Sequence, residues 1–166
     1  MPASSRFLLH ASEPEDTDRL ADLWVESWQK TMPEIDFTTR RPWFLGHFAS
    51  LRDQGSACLV ARDTLDAAHA EETHAGGYAG FVLVDPATRY LDQLAVAPAY
   101  WGRGAAELLM AGAKEISPAG VTLDVNQENG RAVAFYTRLG FVITQQGRNV
   151  TSGRLIWRME WTPGPA

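Results

Sequence analysis

The run Leu91-Asp92-Gln93-Leu94-Ala95-Val96-Ala97-Pro98-Ala99-Tyr100-Trp101-Gly102-Arg103-Gly104-Ala105-Ala106 holds the residues best suited to chemistry. An apolar stretch ends at Pro98, and Gly102-Arg103-Gly104 opens a helical pattern. Such a turn aims backbone N–H groups outward, and its glycines let a phosphate approach the main chain. The positive end of the helix dipole contributes about 0.3–1 kcal/mol at an exposed site, so Arg103 and direct N–H bonds must supply the rest. A diphosphate suits these donors, although an ordinary helix-opening turn carries glycines too. Two other phosphate loops are excluded. A Walker loop needs Gly-x-x-x-x-Gly-Lys-Ser/Thr, which the chain lacks, and a dinucleotide fingerprint needs a small residue where Glu107 stands.

Elsewhere the chemistry is sparse. Cys58 is the only cysteine, which excludes an intramolecular disulfide and a cysteine-based zinc site, and its place in Ala57 to Ala61 reads as core. His69 and His74 beside Glu71 and Glu72 match no standard ligand spacing, and no metal is expected. Asn149-Val150-Thr151 matches a glycosylation triplet that has no meaning without a secretion signal.

The elements that must position the glycine turn follow from periodicity. Arg6 to His10 reads as an opening strand, and Ser12 followed by Pro14 and Glu15 as a helix start. Leu20, Leu23, Trp24, Trp28 and Thr31 then recur on one face until Pro33. Leu45, Phe48 and Leu51 predict a second helix after the cap candidates Thr38 and Thr39. Ala57 to Ala61, Gly77 to Val84 and Tyr90 to Val96 read as strands, with a long loop from Asp63 to Gly76. A third helix carries Leu108, Leu109, Met110 and Ile116, and Val121 to Val125 is the next strand. Ala132, Phe135, Tyr136 and Leu139 mark a fourth helix, Phe141 to Thr144 and Arg154 to Trp161 two last strands, and 161–166 a frayed tail. The order predicts a mixed α/β fold of the α+β type.

Strand, Val-x-Pro, aromatic, Gly-x-Gly-x-Ala and amphipathic helix together resemble the acetyl-CoA signature of the GNAT superfamily of N-acetyltransferases. A second motif, Asn129-x-x-Ala132-x-x-Phe135-Tyr136-x-x-x-Gly140-Phe141, resembles the next helix of that family. The resemblance implies a mostly antiparallel sheet of about seven strands with about four helices, splayed between the fourth and fifth strands around the pantetheine arm of acetyl-CoA. It implies that the main chain of Leu94, Ala95 and Val96 pairs with that arm. It further implies that Trp101, Gly102, Arg103, Gly104, Ala105 and Ala106 hold the diphosphate, with Asn129 as a polar contact beyond the gap. The family usually has Arg or Gln where Trp101 stands. Asn129 also suits a helix N-cap.

Acetyl transfer to an amine needs a neutral nitrogen, a polarised thioester carbonyl and a proton for the thiolate. An alkylamine with a pKa near 10 loses its proton at neutral pH at a cost of about 4 kcal/mol. Asp92 is the candidate base, with a solvated or paired carboxylate as the competing reading and a strand bulge deciding its face. The resemblance makes Tyr136 the proton donor to sulfur, against a reading as core tyrosine. Among Trp28, Glu34 and Asp36, in the region that frames the acceptor in the family, the carboxylates suit a cationic amine. The expected activity is acetyl-CoA-dependent transfer to a primary amine of a small molecule or peptide by direct attack. A non-catalytic acyl-CoA-binding or sensing domain is the alternative.

The chain has 166 residues, 15 basic and 20 acidic, for a formal charge of −5. That predicts one domain over 1–166, without the concentrated basic face of a nucleic-acid or membrane-surface binder. No apolar run is long enough to span a bilayer, and the first ten residues lack a charged start before an apolar stretch. A cytoplasmic protein is expected, with a homodimer compatible.

Overall fold

The computed structural model describes residues 6–64 and 77–164. Eleven main elements alternate along it: β1 (Phe7–Ala11), α1 (Thr17–Thr31), α2 (Arg41–Asp53), β2 (Ala57–Asp63), β3 (Tyr78–Val84), β4 (Leu91–Val96), α3 (Ala105–Ile116), β5 (Val121–Asn126), α4 (Gly130–Arg138), β6 (Val142–Arg148) and β7 (Leu155–Trp161). The mixed α+β class is the one expected.

Strands β1 to β4 form an antiparallel sheet in chain order, and β5, β7 and β6 form a second antiparallel sheet with β7 in the middle. Every residue of β3 is buried, because helices cover both faces of the first sheet. On one face Phe44 of α2 meets Phe81 at 5.8 Å and packs at 5.0 Å on Trp24 of α1. On the other, α3 comes so close that a Cβ on Gly112 would stand 2.6 Å from Leu59. Gly80 is needed for a similar reason: a Cβ there would stand 2.5 Å from the Ala95 carbonyl oxygen and 3.0 Å from Leu109.

Strands β4 and β5 run parallel but share only the bridge Tyr90 to Thr122 and the bond from Thr122 N to the Arg89 carbonyl at 2.9 Å, among the described residues. Beyond it they belong to separate sheets, which is the splay expected between the fourth and fifth strands. Side chains brace its start. The Tyr90 hydroxyl donates to Asp124 at 2.8 Å, and Arg158 of β7 grips the same carboxylate with two bonds at 3.1 and 3.2 Å.

Several local expectations are corrected. Ser12 does not start the first helix, because its N–H still donates to the Cys58 carbonyl at 2.9 Å, extending the β1–β2 pairing. Glu13 instead opens a 3-10 turn, Pro14–Asp16, that leads into α1, and its N–H donates to the Asp16 carboxylate at 2.8 Å. Thr38 and Thr39 do not cap α2 either. They lie in a 3-10 turn, Phe37–Arg40, that leads into it. Trp161, where the expected last strand and the expected tail overlap, belongs to the strand: it ends β7 and pairs with Val121. Asp63 belongs to β2, ion-paired with Arg6 at 2.6 Å, whereas His69, Glu71, Glu72 and His74 lie outside the described residues. Cys58 is buried, and that burial pushes its thiol up to about 11, as a core cysteine requires. No described helix is long and apolar enough to cross a membrane.

Candidate active site

An open cavity of about 530 Å³ lies where the splay widens, between the end of β4, the start of α3 and one face of α4. Its floor follows from the glycine turn. Gly102 and Gly104 take φ of +74° and +92°, a left-handed conformation that costs other residues about 1–2 kcal/mol. A Cβ at either would meet no heavy atom within 4 Å, so the glycines answer a backbone need and leave the loop surface bare. The N–H groups of Ala105, Ala106 and Glu107 open α3 and have no partner inside the helix. The first turn of α3 therefore presents donors to the cavity that Gly104, Ala105 and Ala106 line.

Trp101 ties this turn to β4. Its indole N–H donates to the Val96 carbonyl at 2.7 Å, and the Arg131 guanidinium stands 5.1 Å from its ring. The second lone pair of that carbonyl stays available. Leu94 and Val96 line the cavity, whereas Ala95 is buried and pairs with Phe81 of β3. Because β5 diverges, the β4 edge at Leu94 and Val96 has no strand beside it among the described residues.

The far wall is α4. Ala132, Phe135 and Tyr136 repeat at helical spacing, yet no residue of this helix is fully buried, because its apolar face looks into the cavity. Asn129 lines the cavity too, and its side chain caps α4 by accepting the Ala132 N–H at 3.2 Å. Tyr136 is wedged edge-on between Phe135 at 5.4 Å and Phe141 at 5.7 Å, and burial pushes its phenol up to about 12. Its hydroxyl therefore keeps its proton at neutral pH, and it makes no hydrogen bond among the described residues.

Not every candidate gathers here. Arg103 does not line the cavity, although both its glycine neighbours do. Asp92 lies on the α2 side, where it is the extra residue of a bulge: Leu83 pairs with Gln93, and Val84 with Leu91. Its Oδ2 contacts Nε2 of His47 at 2.8 Å and accepts from Gln93 at 3.1 Å. Gln93 in turn accepts the Trp24 indole N–H at 3.1 Å. Trp28 is stacked on Phe37 at 5.8 Å, and Glu34 faces Arg154 at 3.9 Å. Asp36 accepts the Thr38 N–H at 3.1 Å, which commits its carboxylate to the turn. None of these three lines the cavity.

Sequence reasoning missed the cations around the cavity, Lys30 at the end of α1 and Arg131 and Arg138 on α4. One signal was available. Arg131 is in the first turn of α4, where a positive charge opposes the helix dipole and an anion nearby would offset the cost. His47 was missed as well, since nothing local marks a histidine that a distant bulge completes.

The sequence model of the Acetyltransferase (GNAT) family matches residues 17–141. Over 65 residues the chain is 35% identical to the peptidyl-lysine N-acetyltransferase YjaB of Salmonella typhimurium, a match covering 39% of this chain and 43% of that protein. It thus spans less than half the length of that curated relative. A histone acetyltransferase HPA2 and related acetyltransferase from Corynebacterium glutamicum superposes with a TM-score of 0.73 at 18% identity, over 97% of this chain and 98% of that one. The PaiA N-acetyltransferase from Thermoplasma acidophilum, solved in complex with coenzyme A, superposes with a TM-score of 0.68 at 17% identity, over 95% and 99% of the two chains. With the splayed strands and the glycine turn in place, the match over residues 17–141 shows that the chain belongs to the Acetyltransferase (GNAT) family.

Proposed function

We propose that this chain transfers the acetyl group of acetyl-CoA to a primary amine of a small molecule or peptide by direct attack. The observation that carries the reading is the protonated, unbonded phenol of Tyr136 in the same cavity as the bare N–H groups that open α3. Coenzyme A bound to the Thermoplasma PaiA protein and the peptidyl-lysine acceptor in the name of the Salmonella YjaB protein both support it.

The residues present fit a long, anionic cosubstrate. Gly102, Gly104, Ala105 and Ala106 offer their main chain to a diphosphate, with Lys30 and Arg131 as nearby positive charges. The open β4 edge at Leu94 and Val96 supplies main-chain groups for an amide-bearing arm, Ala95 between them being turned to β3, and Asn129 adds a polar side chain across the gap. When bound, acetyl-CoA supplies an acyl group activated by a thiol leaving group. A donor on the same β4 edge stabilises developing negative charge on the acyl oxygen. Tyr136 delivers a proton to the departing sulfur, for which a phenol that stays protonated is suited. Asp92 serves the acceptor from the α2 side of β4.

Thiol release from acetyl-CoA, followed across a panel of lysine peptides and small primary amines, tests the reading. At least one amine is expected to raise the rate well above background hydrolysis. A panel in which none does so, while coenzyme A still binds, would contradict it.

A further inference from the structure

Other carboxylates face cations, a phenol or a main-chain N–H. Glu34 faces Arg154, Asp36 caps a turn, and Asp124 is held by Tyr90 and Arg158. Asp92 differs, because its partner is an imidazole. His47 lies on α2, one turn after Trp43, and the two rings stack at 4.7 Å and 15°. The stack and the 2.8 Å contact from Nε2 to Asp92 hold the ring from two sides. With the Asp92 carboxylate accepting, Nε2 carries the hydrogen and Nδ1 is left with its lone pair. Nδ1 has no hydrogen-bond partner among the described residues, and the side chain is 29% exposed.

Position supports a role for this nitrogen. Asp92 lies two residues before Leu94, about 7 Å along the strand from the residue that lines the cavity. The bulge turns it toward α2 and away from the covered α3 face. Trp43, stacked on His47, is itself 54% exposed, so the pair lies at the surface. A partly exposed pair of this kind adds little to stability.

Resting on the acetyltransfer reading above, we infer that Nδ1 of His47 takes the proton from the acceptor ammonium, with Asp92 as its positioning partner. The N–H bond of the ammonium breaks, the proton goes to Nδ1 and the nitrogen keeps the electron pair that attacks the acyl carbon. That proton then passes to solvent. The second proton, lost as the amide forms, replaces the one Tyr136 gives to sulfur.

Two amines separate this role from a structural one: an alkylamine that is an ammonium at neutral pH, and a weakly basic primary amine that is already neutral. His47→Gln is expected to lower kcat/KM about 100-fold for the first and no more than about threefold for the second. Coenzyme A affinity, measured separately, stays unchanged and shows that the variant is folded. Asp92→Asn reproduces the selective loss. Independently of turnover, nitrogen-15 NMR of the wild-type imidazole is expected to show hydrogen on Nε2 and a bare Nδ1. The opposite tautomer, equal losses on both amines, or full activity of His47→Gln with the alkylamine each overturns the proposal while leaving acetyl transfer intact. A wild-type protein that acetylates neither amine removes acetyl transfer and this role together.

Discussion

Tyr136 sits edge-on between Phe135 and Phe141 because α4 repeats apolar residues at helical spacing and lays that face over the cavity. The same surroundings that hold the ring desolvate its hydroxyl and raise its pKa to about 12. A higher pKa extends the protonated, proton-donating form upward in pH. The profile of kcat is therefore expected to show no alkaline fall from this group until pH approaches about 12. Tyr136→Phe is expected to lower kcat by about 100-fold or more while changing the coenzyme dissociation constant less than about threefold, as steady-state kinetics and a binding titration would show. Tyr136 and Asn129 were legible as motif residues, and Asn129 as a cap, because each rests on spacing within one helix. Glu34 and Asp36 were named as charges free to meet an amine. Their partners, Arg154 and Thr38, are set by tertiary placement and turn geometry that charge and type do not reveal.

At the scale of elements, strand and helix order, four helices included, was readable from periodicity, whereas the gap between the fourth and fifth strands came only with the family resemblance. Boundaries were not. Ser12 looks like a helix cap until the ladder from β1 is seen to claim its N–H. The bulge at Asp92 was raised as a condition and is present, yet no residue type within Leu91–Val96 announces it, since the register is set by β3. Close packing at β3 yields a direct check. Gly80→Ala places a methyl against the Ala95 carbonyl, so β4 must shift at the strand that carries the cavity edge. A loss of about 1–3 kcal/mol in unfolding free energy is expected from denaturant titration, together with weaker coenzyme binding.

Across the whole molecule, an excess of acidic residues coexists with a cavity edged by Lys30, Arg131 and Arg138. Net charge alone excluded a basic binding face but could not show that three cations from α1 and α4 converge on one opening. Lys30 is exposed, so its attraction for a phosphate is screened by salt over about 8–10 Å at ordinary ionic strength. Lys30→Ala is expected to weaken coenzyme A binding several-fold at low salt and much less at about 1 M salt, read by calorimetric titration at both. A salt-independent loss would instead mean that Lys30 acts through packing. In the proposed function the α3 turn and the α4 phenol bring an acyl donor to an amine without an acyl-enzyme stage. A single-turnover reaction with acetyl-CoA labelled on its acetyl carbon, quenched over time and resolved by mass spectrometry, tests it most directly. The label is expected to pass from thioester to amide at one rate, with none on the protein. Label that accumulates on the chain, or that leaves only as acetate when amine is present, would contradict it.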